Sequence, residues 1–294
     1  VSATLRIVLV GTGPVARAIA AAHGAAGGRV EAVWSRDGRR AQALIADCGA
    51  EGAAYDLRVV HRADAVLVCV ADRAVAEAGQ WIGAFAGDRV PVLHTSGALA
   101  GSALRSSPLG SKLRAGSLHP LQSFPAGLEG PSGARTLAAR VPGTHWFHEG
   151  EGADVARALV ALWGGVFHAL APGGKALYHA GAAVVSNHTV ALFADATRLL
   201  AAAGVPPDES RAALATLLEG TAANLRAVGV PAALTGPVAR GDVATVRRHL
   251  EALRAAAPEL VESYAAMARR AVVVALEKGA IDDTTAQALV AALA

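Results

Sequence analysis

The segment "LRIVLVGTGPVARAIAAAHGAAG", residues 5–27, constrains this chain more than any other stretch. An unbroken apolar run reads as a strand buried on both faces of a parallel sheet. A glycine turn and a helix of small residues follow it. The turn is Gly11-x-Gly13-x-x-Ala16. Gly11 permits the sharp turn, and Gly13 lets the backbone approach a pyrophosphate. Ala16 stands where a third glycine is usual and still lets helix and strand pack closely. The start of the helix then points its free N–H groups at the phosphates. Thr12, Pro14 and Val15 complete this candidate loop. A purely structural turn could use the same glycines, but the strand before and the helix after favour a nucleotide.

The pattern then repeats. The second strand, "RVEAVWSRD", ends in Ser35-Arg36, with Arg39 and Arg40 just beyond. An NAD site commonly ends this strand in Asp or Glu, which holds the ribose 2′-hydroxyl. A hydroxyl and guanidinium groups suit a 2′-phosphate instead, so NADP is expected over NAD. The other reading of these arginines is a solvated helix start. Asp37 and Asp72 read as helix caps. The run "AVLVCV" predicts a central strand over 65–70, with Val70 and Ala71 at its ligand-facing end. "VPVLHTSGAL" ends a strand in His94-Thr95-Ser96-Gly97, and "LRAGSLHPLQSFP" ends another in His119-Pro120. Proline holds His119 extended. Ser96 and His119 are therefore candidate substrate contacts, though a histidine bonded to its own loop fits as well. Alternating strands and helices predict an α/β Rossmann domain, doubly wound around a mostly parallel sheet, over residues 1–171.

Beyond it the strand signals fade, and residues 172–294 read as an all-helical domain with breaks at Gly and Pro. A substrate cleft between the two domains is expected. "GGKALYHAGAAVVSNH" opens this part with Lys175, one of three lysines, and Asn187, one of two asparagines. On one continuous helix Lys175, His179 and Ser186 fall within about 40° of each other, and Asn187 lies roughly 80° from His179. Lysine is rarely buried without a partner. Lys175 is therefore a candidate proton donor or carboxylate anchor, and the alternative is a first-turn lysine reaching solvent. "ALTGPVARGD" carries Arg240, a candidate anchor for an anionic substrate, with Asp242 as the cap of the next helix.

Composition narrows the function classes. The formal net charge is +3 and the arginines are scattered, so no nucleic-acid partner is expected. Cys48 and Cys69 have no metal-ligand spacing and form no disulfide framework; Cys69 reads as a buried thiol. No run of about eighteen apolar residues is free of charge, Gly or Pro, and no leader is expected. These features predict a soluble cytoplasmic protein with no metal and no membrane partner.

Together, Gly11-x-Gly13-x-x-Ala16, Ser35-Arg36 and Gly173-Gly174-Lys175-x-x-x-His179 resemble the 6-phosphogluconate dehydrogenase-like superfamily. That group includes β-hydroxyacid dehydrogenases, ketopantoate reductases and pyrroline-5-carboxylate reductases. "GSLHPLQSF", "YHAGAAVVSNH" and "LTGPVARGD" resemble, more closely, bacterial oxidoreductases carrying the domain of unknown function 2520. The resemblance covers nearly the whole chain. It implies an NADP-dependent oxidoreductase of a small carbonyl or hydroxy-acid substrate, with a helical domain of 6-phosphogluconate dehydrogenase type that forms a homodimer. The β-hydroxyacid enzymes use Lys-x-x-x-Asn, lysine for the proton and asparagine for substrate. Lys175 matches the lysine; His179 replaces the asparagine, which puts the substrate in doubt. Ser96, His119, Asn187 and Arg240 would line the cleft. An imine reductase of the pyrroline-carboxylate kind and a non-catalytic NADP-binding sensor or scaffold are the alternatives.

Overall fold

The computed structural model describes residues 4–50, 53 and 55–294. Residues 1–3, at the start of the expected first domain, lie outside the described residues. In chain order the elements are β1 (Arg6–Val10), α1 (Pro14–Ala25), β2 (Arg29–Trp34), α2 (Gly38–Asp47), β3 (Ala65–Val68), α3 (Val75–Ala86), β4 (Val92–His94) and β5 (Ala115–Pro120). Then come α4 (Gly130–Ala138), β6 (His145–Gly150), α5 (Ala153–Leu162), β7 (Val166–Ala169), α6 (Lys175–Val185), α7 (Asn187–Ala202), α8 (Pro207–Val228), α9 (Val243–Ala256), α10 (Val261–Glu277) and α11 (Asp283–Ala292). Contacts divide the chain into two compact units after Ser186, where the sequence suggested Ala171. Helix α6 goes with the first unit because its first residues bond into the strand-end loops described below.

The first unit is built on a seven-stranded sheet of order β2-β1-β3-β4-β5-β6-β7. Strands β1 to β5 are parallel; β6 runs antiparallel to β5, and β7 parallel to β6. This is the α/β Rossmann architecture. The period-two pleat explains its two cores. Ile7, Leu9 and Leu67 point to one face, against Ile19 of α1 and Leu44 of α2. Val8, Val10 and Val68 point to the other, against Ala78 and Ile82 of α3. The order reverses between β1, which feeds β2 on one side, and β3 on the other. That reversal opens a crevice at the C-terminal ends of β1 and β3, where open α/β sheets bind ligands.

The second unit is helical. α7 and α8 pack against each other. Val246 and Leu250 of α9, Val272 of α10 and Leu289 of α11 make a separate core. Asp242 caps α9 as its sequence position suggested, accepting from Thr245 N at 2.9 Å. The single long helix expected from Lys175 is broken: Ser186, at φ −99° and ψ −72°, separates α6 from α7. The angular relation of Ser186 and Asn187 to His179 therefore does not hold as drawn. Among the described residues no helix is long and apolar enough to cross a membrane. No group of three His, Cys, Asp or Glu side chains there could hold a metal ion.

Candidate active site

The crevice is shaped first by backbone. Gly11 sits at φ +109°, and a Cβ there would lie 2.3 Å from the Cys69 carbonyl oxygen, so no other residue fits between β1 and β3. Gly13 is the N-cap of α1 with ordinary dihedrals, and a Cβ there would meet nothing within 4 Å. Its lack of a side chain therefore serves no packing; it leaves the open side of the turn clear. No side chain caps α1, so the N–H groups of its first turn remain available to an anion. Ala16 is fully buried against the sheet. Thr12, Pro14 and Val15 are half-buried around the turn, and Val70 and Ala71 follow β3 across from it.

Beyond β2, Asp37 caps α2 by accepting from Arg39 N at 3.0 Å, as expected. Arg36 is 73 % exposed and pairs with Glu77 at 4.0 Å. Arg39 and Arg40 are exposed beside Asp37. Three exposed guanidinium groups thus lie just beyond the end of β2. Asp72 does not cap the following helix. The short 3-10 turn at 72–74 has no side-chain cap, and neither does α3. A tight turn precedes the helix, and Asp72 lies inside it.

The ends of β4 and β5 carry the polar groups. His94 is fully buried at the end of β4. Its Nε2 bonds the Ala100 carbonyl at 2.9 Å, and its Nδ1 faces Ser96 N at 3.2 Å. The proton therefore sits on Nε2, and the ring pins the 94–100 loop. Burial pushes the His94 pKa down to about 4. The Ser96 hydroxyl accepts from Ala98 N and Leu99 N at 3.2 and 3.1 Å. That hydroxyl organises its own loop, and it is the Ser96 carbonyl that faces the site.

Lys175, the first residue of α6, sends Nζ to the Ser96 carbonyl at 2.7 Å and is only 3 % exposed. Burial lowers its pKa to about 8, against the opposing pull of Glu149 and Asp72. The lysine is thus buried and hydrogen-bonded, and it does not reach along the surface. His119, at the end of β5, bonds the Tyr178 hydroxyl through Nδ1 at 2.6 Å. Burial, with the Lys175 charge next, brings its pKa to about 4, so it is neutral at pH 7. His179 stands edge-on to His119, ring centroids 6.2 Å apart. Lys175, His179, Ser96 and His119 are therefore brought together within the first unit. Asn187 begins α7 and Arg240 lies exposed in the turn before α9; both belong to the second unit.

Tyr178 and Gly97 were missed in the sequence. A tyrosine in an apolar helix reads as packing, and only its partner His119 on β5 shows what the hydroxyl bonds. One signal was present: Tyr178 sits three residues after Lys175, on the same helix face.

Comparisons with known proteins bear on the fold and on two segments of the chain. Residues 6–88 match the family model described as NADP oxidoreductase, coenzyme F420-dependent. Residues 147–271 match the domain of unknown function 2520. No curated protein sequence matches the chain. A protein of Thermotoga maritima superposes with TM-score 0.72 at 22% identity, covering 92% of this chain and 99% of that one. A Bacteroides fragilis protein provisionally named an NADP oxidoreductase gives 0.67 at 24%, covering 92% and 98%. An imine reductase of Aspergillus terreus, solved with NADPH4 and a dibenzazepine, gives 0.60 at 18%, covering 97% and 99%. At these identities the structures establish a shared fold.

Proposed function

We propose that this chain, which joins a segment like NADP oxidoreductases to a domain of unknown function 2520, is an NADP-dependent oxidoreductase of a small carbonyl or hydroxy-acid substrate. One observation carries the reading. A buried lysine and two histidines converge at the sheet edge that also presents an open glycine turn and exposed arginines. The residues present fit NADP: Gly11 and Gly13 clear the turn, α1 offers N–H groups to the pyrophosphate, and Arg36 offers a fork to the 2′-phosphate. Val70 and Ala71 would border the cofactor, and Ser35 would support Arg36. When bound, the nicotinamide supplies or accepts the hydride.

The chain's own residues would handle the proton. Lys175, with its pKa near 8, holds a proton at pH 7 and releases it more readily than a surface lysine. It would donate to the oxygen that develops charge on reduction and recover the proton in the reverse direction. His119 and His179 would orient the substrate. Substrate roles for Asn187 and Arg240 are part of the proposal and rest on the sequence alone. A homodimer through the helical segment is also proposed. Helix α8 buries only Ser210 over its whole length, while Leu217, Leu225 and Val228 on it are 68%, 45% and 59% exposed, an apolar surface that a partner would cover.

Imine reduction is the second reading, favoured by the likeness to a fold used by an imine reductase. NADPH oxidation with panels of keto acids and cyclic imines, for wild type and Lys175→Met, separates the two. The first reading expects keto-acid turnover that the substitution abolishes. Imine turnover that survives the substitution would favour the second, and no turnover on either panel while NADPH binds would favour a sensor.

A further inference from the structure

His119 has one hydrogen-bond partner on Nδ1, and the identity of that partner decides what its other nitrogen can do. The Tyr178 hydroxyl lies 2.6 Å from Nδ1 and has no second partner among the described residues. Were Nδ1 protonated and donating to the phenol oxygen, the phenol's own hydrogen would be left without an acceptor in a half-buried place, which is costly. The reverse arrangement satisfies both groups. The phenol donates, Nδ1 accepts, and the imidazole proton must sit on Nε2. Tyr178 is held for this task. Its ring packs on Phe147 at 4.6 Å between centroids, and Phe147 is the direct cross-strand neighbour of His119.

Nε2 then lies close against the backbone of Gly97. The point where a side chain of residue 97 would begin lies 2.9 Å from His119 Nε2 and 2.6 Å from His179 Nδ1. Any Cβ would collide with both rings, so only glycine lets the two imidazoles close on this loop. The Lys175 ammonium, bonded to the carbonyl of the preceding residue, borders the same loop.

We propose that Tyr178 is a positioning residue: by donating to Nδ1 it fixes His119 as the tautomer that carries its proton on Nε2, beside Gly97 and His179, as a neutral donor to a substrate carbonyl or carboxylate oxygen. The inference rests on the oxidoreductase reading for the identity of the ligand, though the tautomer itself does not. A neutral imidazole donor at this point polarises an oxygen without competing with Lys175 for the proton. The groups facing His119 are Lys175 and His179 from α6, Asp72 from the turn after β3, and His94 from β4.

The test is nitrogen NMR of histidine-labelled protein without ligand, resolving protonated from unprotonated ring nitrogens, with His119 assigned through His119→Asn. Wild type is expected to show His119 protonated on Nε2 alone. In Tyr178→Phe the Nδ1–H form should appear, the tautomer ratio falling severalfold to about tenfold, the weight of one hydrogen bond. His23 serves as the folding control, because Leu5 O and Trp163 Nε1 fix its tautomer far from Tyr178. A wild-type proton on Nδ1 overturns the proposal. So does an unchanged ratio in the variant with His23 native. If the variant loses the His23 signature, the wild-type spectrum decides alone. NADPH titration of the same samples tests the oxidoreductase reading separately, so either can fail without the other.

Discussion

Replacing Lys175 by methionine should change how stability depends on pH, and by a calculable amount. The side chain is 3 % exposed, and burial lowers its pKa from 10.5 to about 8. At about 1.4 kcal/mol per unit, the fold disfavours the charged form by about 3 kcal/mol relative to water. Methionine removes that cost but also the bond from a charged donor to the Ser96 carbonyl, worth about 1.5–3 kcal/mol. Near pH 7 the variant should therefore equal wild type or exceed it by about 1 kcal/mol. The sharper signal is the slope. The folded pKa lies below the unfolded one, so between about pH 8 and 10.5 the unfolded chain holds a proton that the folded chain has released. Wild-type stability rises with pH through that window, and the variant lacks the rise. Relative to wild type the variant should lose about 3 kcal/mol from one end to the other. Burial raises the pKa values of Tyr178, Cys48 and Cys69, which pull stability the other way, but these groups are common to both proteins and cancel in the difference. Urea unfolding followed by circular dichroism across the window measures it. Parallel curves for the two proteins would refute the reasoning, because they would mean the ammonium is solvated.

Three further outcomes are expected. Gly11→Ala should unfold the chain or cost several kcal/mol, through a 2.3 Å clash with Cys69 O at positive φ, whereas Gly13→Ala should leave the melting temperature within about a degree and weaken NADPH binding. Below neutral pH, His94 and His119, with folded pKa values near 4, exclude protons that the unfolded chain binds below about 6.5. Stability should therefore fall as pH drops through that window, and His94→Gln should remove roughly 3 kcal/mol of the fall, read by urea titration at each pH. Light scattering should report a dimer for wild type and a monomer for Leu217→Glu; a wild-type monomer would discard the dimer.

Much of the fold was legible because it is written locally. The β1 run, the glycine turn and α1 are contiguous, and each carries its own reason. Asp37 and Asp242 were readable as caps because a cap bonds three residues or fewer away. Asp72 looked the same and is not one, since a 3-10 turn intervenes before α3. The site was less legible. Lys175 stood out by rarity, but its partner is a carbonyl 79 residues earlier, and no side-chain pattern marks a carbonyl. Ser96 was singled out for a hydroxyl that the loop itself engages. Tyr178 was hidden because its meaning comes from a strand 59 residues away. The break at Ser186 falls at a polar Ser-Asn-His step that a helix can carry, with no proline to announce it.

The open turn and the exposed arginines beyond β2 are proposed to hold NADP. Titration of the purified protein with NADPH and NADH, alongside Arg36→Ala, tests this most directly. The account predicts that NADPH binds in preference to NADH and weakens about tenfold or more in the variant, about 1.4 kcal/mol, while NADH binding is unchanged. Binding of neither cofactor would contradict it, and equal binding of both, indifferent to Arg36, would contradict the 2′-phosphate reading.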